Sequence, residues 1–167
     1  MSHESADFAD FYASARDDCL RAVFASIADR QEAEELVAEA FARAWARWAA
    51  VSRHPAPRAW VVRTALNARV SWWRRRHREA VVPDIAPDGV SDGGLGNVVD
   101  TDLMAMVLRL PDRQRQVVAL RLFLDLDTAQ AADVLGIAAG TVTAHLARAI
   151  ATLRQEFFEG TGLEEKI

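Results

Sequence analysis

One stretch divides this sequence into two parts and so limits what it can fold into. Residues 81–97, VVPDIAPDGVSDGGLGN, contain two prolines, four glycines and three aspartates, a composition typical of a flexible linker. On either side apolar residues recur at helical spacing, and no segment alternates with the period of two that strands require. The sequence therefore predicts an all-α protein of two small helical domains, residues 1–80 and 101–158, joined by a flexible acidic linker at 81–100 and followed by a tail at 159–167.

The charges of the chain are strongly segregated, although the net charge is only −4. Residues 53–78 contain eight arginines and no acidic residue, whereas residues 1–52 carry five arginines against ten acidic side chains. A basic block of this kind can hold a polyanion, while the acidic surfaces repel it or meet a basic partner. The composition thus predicts contacts with two different kinds of partner.

The cysteine and histidine content argues against a disulfide, a structural metal or a cofactor site. Cys19 is the single cysteine, and the four histidines show no spacing that would build a zinc site with it. Because no glycine-rich phosphate loop, pair of catalytic carboxylates or nucleophile signature is present, we expect neither an enzyme nor a bound cofactor. The sequence has no apolar run of about 18 residues and no secretory start, so we expect a cytoplasmic protein that does not enter a membrane.

An acidic row marks the second predicted helix, DRQEAEELVAEAFARAWARW, at residues 29–48. Asp29 can cap this helix, and Glu32 stands at the capping-box distance. The apolar stripe of the helix consists of Leu36, Val37, Ala40, Phe41, Ala44, Trp45 and Trp48. Another side carries Glu32, Glu35, Glu39 and Arg43, and its acidic row is either a solvated face or a docking face for a basic partner.

Most of the basic block lies on one further helix, RAWVVRTALNARVSWWRRRHRE, which follows two prolines. Cations neutralise phosphates and an indole can stack on an unpaired base, so this helix suits single-stranded nucleic acid. The helix dipole accounts for one or two terminal arginines, but not for eight without an acid. Trp45, Trp48 and Trp72 are expected in the core, whereas the position of Trp73 leaves core packing and base stacking equally open.

The C-terminal half has the pattern of a helix-turn-helix. Asp127 can cap a short helix, Gly136 can adopt the positive φ of a tight turn, and a second helix follows from about Ala139 to Phe157. Short polar groups and a cation form its outward row, which consists of Thr141, Thr143, Ala144, His145, Arg148 and Thr152. A recognition helix meets base edges and phosphates with such residues, although a helical hairpin without DNA would imitate the spacing.

These segments resemble the domains of bacterial sigma factors. The segment LRLPDRQRQVVALRLFLDLDTAQAADVLGIAAGTVTAHLARAIATLR is similar to the fourth conserved sigma domain, which reads the minus-thirty-five element. In the first half, DRQEAEELVAEAFARAW resembles the polymerase-binding helix of the second sigma domain, and AWVVRTALNARVSWWRRRHRE resembles its promoter-melting segment. The resemblance covers roughly residues 5–156, and having only these two domains is typical of the extracytoplasmic-function group.

The resemblance implies roles for particular residues. Contact with the beta-prime clamp helices of core RNA polymerase would fall to Glu32, Glu35, Leu36, Glu39 and Phe41. Capture of a flipped minus-ten base would fall to a loop with Ser52, Arg53 and His54, and the opened strand would be held by Arg63, Asn67, Trp73, Arg74 and Arg75. The minus-thirty-five duplex would be read by Thr141, Thr143, Ala144, His145 and Arg148.

The resemblance therefore implies a sigma factor that binds core RNA polymerase and directs promoter recognition, promoter melting and the initiation of transcription. It would be a non-catalytic specificity subunit, with the beta flap as a second polymerase contact and an anti-sigma protein as a further candidate partner. Two other classes stay open on the residues alone. A stand-alone helix-turn-helix regulator would bind duplex DNA without polymerase, and a membrane-surface protein would use SWWRRRHR as an interfacial anchor.

Overall fold

All regular elements of the described residues are helices. The computed structural model describes residues 2–79 and 101–161, and at 76–79, 101 and 161 it describes the backbone only. The first half contains α1 (His3–Ile27), α2 (Arg30–Ala46), α3 (Trp48–Val51) and α4 (Pro57–Glu79). The second half contains α5 (Thr101–Leu108), α6 (Asp112–Val118), a π-helical turn (Ala119–Phe123), α7 (Thr128–Leu135) and α8 (Ala139–Thr161). The predicted all-α fold is confirmed, while the predicted linker at 81–100 lies outside the described residues.

The start of α2 follows the sequence prediction only in part. The Asp29 side chain accepts a hydrogen bond from the Glu32 backbone N–H at 3.0 Å, as predicted for an N-cap. The Glu32 carboxylate, however, accepts from Arg69 Nε of α4 at 3.0 Å instead of completing a capping box. A guanidinium is a stronger donor to a carboxylate than a neutral backbone amide, so this pair joins α2 to α4.

The helix-turn-helix forms where the residues predicted it. Asp127 accepts from the Gln130 N–H at 2.7 Å, and Gln130 Oε1 accepts from the Asp127 N–H at 3.0 Å, which completes a capping box at the start of α7. Gly136 then ends α7 with φ +65°, the left-handed conformation that glycine adopts without a Cβ penalty. The second helix, α8, continues to Thr161, past residue 158 at which we placed the end of the domain.

Aromatic packing of α1 against α2 and α3 builds the core of the first half. The Phe8 ring lies 5.3 Å from the Trp48 ring, and the Phe11 ring lies 5.2 Å from it. Trp48 is buried, as expected. The prediction that Trp45 lies in the core is wrong, because this residue is 48% exposed, although its ring lies 5.0 Å from the Phe8 ring.

The two halves share one hydrophobic core. Buried residues from both halves form a single cluster, which extends from Ala15 of α1 to Ala149 of α8. Across the halves, α1 contacts α6 and the π-helical turn, and α4 contacts α7. The DNA-binding elements that the sequence predicted are therefore held in a defined arrangement relative to each other.

No single helix among the described residues is long and apolar enough to cross a membrane. The pair Thr128–Leu135 and Ala139–Gly160 has sufficient length and apolar composition when taken together, but the two helices are bent by 102° at their break. These are the two helices of the helix-turn-helix.

Candidate nucleic-acid and polymerase interfaces

A cationic groove lies between α2 and α4. Its volume is about 530 Å³, and it is lined by Arg43, Ala46, Arg47, Trp60, Arg63, Thr64 and Asn67. Three guanidinium groups, an indole, an amide and a hydroxyl therefore face one cavity, which we call the α2–α4 groove. Guanidinium groups bind phosphates, and the indole and amide offer stacking and hydrogen bonding to an unpaired base.

Only part of this groove was predicted. Arg63 and Asn67 were expected to hold a strand, and they do lie together on the exposed side of α4. Arg43 and Arg47 were missed as strand-binding residues. They lie at the end of a predicted helix whose acidic row indicated a basic partner instead of DNA. The signal that could have found them is their spacing of four residues, which predicts that Arg43 and Arg47, the C-cap of α2, lie on the same side.

Beyond the groove, α4 carries an exposed patch of indoles and arginines. Trp73 is 45% exposed, and Arg74 and Arg75 are exposed beside it. The prediction that Trp72 packs inward is wrong, because it is 44% exposed. Ala65 is the last fully buried position described on α4, so Trp72 lies about two turns beyond the core although it falls on the core-facing line.

The proline-bounded segment before α4 is a tight turn with its polar groups partly engaged. The Ser52 hydroxyl donates to the Ala49 carbonyl at 3.3 Å, and His54 Nδ1 accepts from the Ala56 N–H at 3.0 Å. Since Nδ1 accepts, the neutral ring carries its proton on Nε2, which leaves Nε2–H as a donor. Arg53 is exposed on the same turn, so the three predicted base-reading candidates do lie together.

The predicted polymerase-binding residues divide into surface and core. Leu36 and Phe41 are 8% and 3% exposed and pack in the core, so they support α2 and do not form its outer face. Glu39 is paired with Arg43 of the same helix at 2.6 Å. Glu35 is exposed, and the described part of the chain offers it no ion pair. Of the predicted set, Glu35 is thus the carboxylate most available to a basic partner.

The predicted reading face of α8 is largely open. Thr141, Thr143, Ala144 and Arg148 are exposed, while Val142 and Ala149 on the opposite side are fully buried. This alternation fixes α8 firmly and turns the polar row outward, as predicted. His145 is half-buried and its Nδ1 is buried without a hydrogen-bond partner among the described residues, so this side chain is less available than predicted.

Cys19 is a buried core residue. Its thiol faces the Arg58 carbonyl at 3.9 Å, and burial raises the pKa of the thiol from 9.0 to about 12. The Arg58 charge lowers that pKa by less than burial raises it, and the Asp18 charge raises it further. The thiol is therefore protonated and unreactive in this conformation. Within the described part of the chain, no cluster of histidine, cysteine or acidic residues could hold a metal ion.

Comparison with known proteins identifies both halves. Residues 11–79 match the protein family "Sigma-70 region 2", and residues 100–153 match the family "Sigma-70, region 4". The chain is 33% identical over 158 residues to the RNA polymerase sigma-E factor of Streptomyces avermitilis, covering 93% of this chain and 88% of the relative. It is also 33% identical over 154 residues to the RNA polymerase sigma-E factor of Streptomyces coelicolor, covering 92% of this chain and 87% of the relative.

A solved structure has the same fold. The sigma factor RpoE of Bartonella quintana, in complex with the anti-sigma factor NepR, matches with a TM-score of 0.66 at 22% sequence identity, over 89% of this chain and 95% of that chain. Because similarity of sequence extends over nearly the whole length of the relatives and both conserved regions match in order, the chain belongs to the sigma-70 family of bacterial RNA polymerase sigma factors, in its extracytoplasmic-function group.

Proposed function

We propose that this sigma factor divides promoter binding between its halves, with residues 1–80 holding the melted minus-ten strand and residues 101–158 reading the minus-thirty-five duplex. The observation that carries the proposal is the α2–α4 groove, where three arginines, Trp60 and Asn67 line one cavity. A duplex hides the faces of its bases, so an indole and an amide set among cations suit an unpaired strand. The indole and arginine patch at Trp73, Arg74 and Arg75 continues this surface along α4.

The strand would be captured at two places. Arg43, Arg47 and Arg63 would neutralise phosphates, while Trp60 offers its ring to a base. At the turn before α4, Ser52, Arg53 and the Nε2–H of His54 would contact a base flipped out of the stack. Unstacking costs a few kcal/mol per base step, which these contacts and those of polymerase would offset.

The second half would read paired DNA. Thr141, Thr143, Ala144 and Arg148 form the exposed row of α8, and His145 lies at its edge. Small side chains allow an α-helix to approach the major groove closely, and threonine can contact base edges or a thymine methyl group. Arg148 supplies the cation for a base or phosphate at that face.

Polymerase would be contacted at two surfaces. We assign the exposed carboxylates of Glu35 and Glu39 to the beta-prime clamp helices, with Glu32, Leu36 and Phe41 holding α2 in place. We assign the beta flap to an apolar groove of about 480 Å³ in the second half, lined by Leu103, Met106, Ile150, Leu153, Arg154, Phe157 and Phe158. The chain would supply specificity and no catalysis, would act in the cytoplasm with polymerase, and would have an anti-sigma protein as a further partner.

Transcription in a reconstituted system tests this proposal. Core RNA polymerase and the purified chain are incubated with a library of genomic fragments, and the start sites of the transcripts are sequenced. We expect new starts that share two sequence elements upstream and that disappear without the chain. Starts that do not depend on the chain, or specific duplex binding by the purified chain without polymerase, would favour the alternative of a stand-alone regulator.

A further inference from the structure

The packing of the two halves against each other centres on the C-terminal part of α1. Between residue 19 and the end of α1 at Ile27, nearly every residue is buried, namely Cys19, Leu20, Ala22, Val23, Phe24, Ala25, Ser26 and Ile27. A helix that is buried around its whole circumference must be covered on every side. Helices α2 and α4 cover it from the first half, and α6 and the π-helical turn cover it from the second. This surface is therefore built to receive the second half of the chain.

A hydrogen-bonded arginine locks this contact. Arg115 of α6 donates from Nε and Nη2 to the Ser26 carbonyl, at 3.3 and 3.1 Å, and its side chain is only 12% exposed. Ser26 lies in the last turn of α1, where carbonyl groups have no partner within the helix and the dipole favours a cation. Arg115 thus caps a helix of the first half from the second half.

The same arrangement places a carboxylate on the strand-binding surface. Asp133 Oδ2 of α7 lies 3.2 Å from Arg63 Nη1 of α4, and Arg63 lines the α2–α4 groove. Both side chains are at least half exposed, so this pair adds little to stability. The pair matters because of where it lies. The Asp133 carboxylate binds the Arg63 guanidinium at the place where a phosphate of the DNA strand would bind.

We propose that the free protein adopts this closed arrangement and that the arrangement masks the α2–α4 groove. Asp133 takes the place of a phosphate, and Arg115 holds the two halves together. Strand binding then requires the second half to move away from α4. The inference rests on the proposed function of the groove. It assigns to α7 of the helix-turn-helix a second partner besides DNA, namely the first half of its own chain.

The test uses a change for which simple electrostatics and masking predict opposite results. Arg115→Ala removes a cation, which should weaken binding to a polyanion, but it also removes the lock and so should expose the groove. Binding of the full-length protein to a labelled single-stranded DNA of mixed sequence, about 12 nucleotides long, is measured by fluorescence anisotropy without polymerase. We expect Arg115→Ala to bind at least about threefold more tightly than the wild type.

Two matched pairs control for charge and for the loss of an ion pair. Arg113→Ala removes an exposed cation from the same helix and should not raise affinity. Asp133→Asn should raise affinity, whereas Glu156→Gln, which breaks a comparable pair with Arg109 at 3.1 Å within the second half, should raise it less. If Arg115→Ala fails to fold by circular dichroism, the comparison of Asp133→Asn with Glu156→Gln decides the result alone.

A second readout separates this inference from the proposed function. Small-angle scattering should give Arg115→Ala a radius of gyration several ångströms larger than that of Arg113→Ala, against about 15 Å for a compact chain of this length. Equal strand affinity within each matched pair overturns the masking proposal. That failure would leave transcription by the wild-type protein and polymerase intact, whereas failure of the proposed function would abolish it.

Discussion

The two proposed DNA-binding surfaces of this protein are built from different chemistry. The exposed end of α4 carries Trp72, Trp73, Arg74 and Arg75, whereas the exposed row of α8 carries threonine, alanine and a single arginine. Flat indoles and several cations suit a strand whose bases are unstacked, because stacking needs an accessible ring face. Short side chains on a firmly packed helix suit the groove of a duplex, because they let the backbone approach closely. This difference supports the proposal that one surface holds unpaired DNA and the other reads paired DNA.

The surfaces also differ in how they are supported. On α8, fully buried Val142 and Ala149 lie behind the reading row and fix its orientation. On α4, the arginine and indole patch extends past Ala65, the last fully buried position described on that helix. Readout of a duplex needs a fixed register, whereas capture of a flexible strand needs reach and charge.

The largest effect should come from reversing charge on the α4 patch. Arg74→Glu with Arg75→Glu should lower open-complex formation by about 100-fold, because two attractive phosphate contacts become repulsive. Permanganate reactivity of unpaired thymines measures promoter opening, and a pull-down measures binding to polymerase. We expect polymerase binding to stay within about twofold, since the patch lies on α4 whereas the exposed carboxylates of Glu35 and Glu39 lie on α2.

A double variant with the same charge change controls this prediction. Arg16→Glu with Arg113→Glu alters two exposed arginines that line neither the α2–α4 groove nor the α8 row, and it should leave opening almost unchanged. Loss of opening together with polymerase binding in the Arg74 and Arg75 variant would indicate a folding defect and remove the assignment.

Reversing charge in the acidic row of α2 should weaken binding to polymerase. Glu35→Lys with Glu39→Lys should weaken association with core polymerase by about tenfold, since attraction to a basic partner becomes repulsion. Asp7→Lys with Asp10→Lys makes the same charge change on exposed positions of α1 and should have little effect. Unchanged affinity of the Glu35 and Glu39 variant in a titration with labelled polymerase would exclude the docking assignment.

Sequence reasoning predicted local features well and long-range contacts poorly. The Asp127 cap and the Gly136 turn depend on neighbouring residues, so they could be read directly from the sequence. The burial of Trp48 and the exposure of Trp72 could not be distinguished, because both follow helical spacing and only the extent of the core decides between them. Likewise, the hydrogen bond from Arg115 to Ser26 joins residues 89 positions apart, and no local pattern encodes it.

The α2–α4 groove gives a smaller prediction that sharpens the assignment to an unpaired strand. Arg47→Ala should weaken binding of the holoenzyme to single-stranded minus-ten DNA by about threefold, with little effect on the duplex minus-thirty-five contact. The opposite pattern is expected for Arg148→Ala, which should weaken duplex binding by a similar factor. Electrophoretic mobility shifts with the two DNA types measure both, and equal losses on both types would end the distinction between the surfaces.

The smallest effect concerns Cys19, which lies in the core. Burial raises its pKa to about 12, so the thiol should be protonated across the physiological range. At about pH 8 the native protein should react with a thiol reagent far more slowly than the protein unfolded in denaturant. Since the folded pKa exceeds the unfolded one, ionisation of this thiol should lower the stability of the protein as pH rises above about 9. Rapid labelling of the native protein would show that Cys19 becomes accessible and could respond to oxidants.

Site-specific crosslinking tests the central claim most directly. A photoreactive phenylalanine analogue replaces Asn67 in the groove or Ala144 on α8, and crosslinks to promoter DNA are mapped in complexes with polymerase before and after strand opening. We predict that position 67 crosslinks to one minus-ten strand only after opening, and that position 144 crosslinks to the upstream duplex in both states. Crosslinks from both positions to the same segment, or from position 67 to closed duplex, would contradict the account.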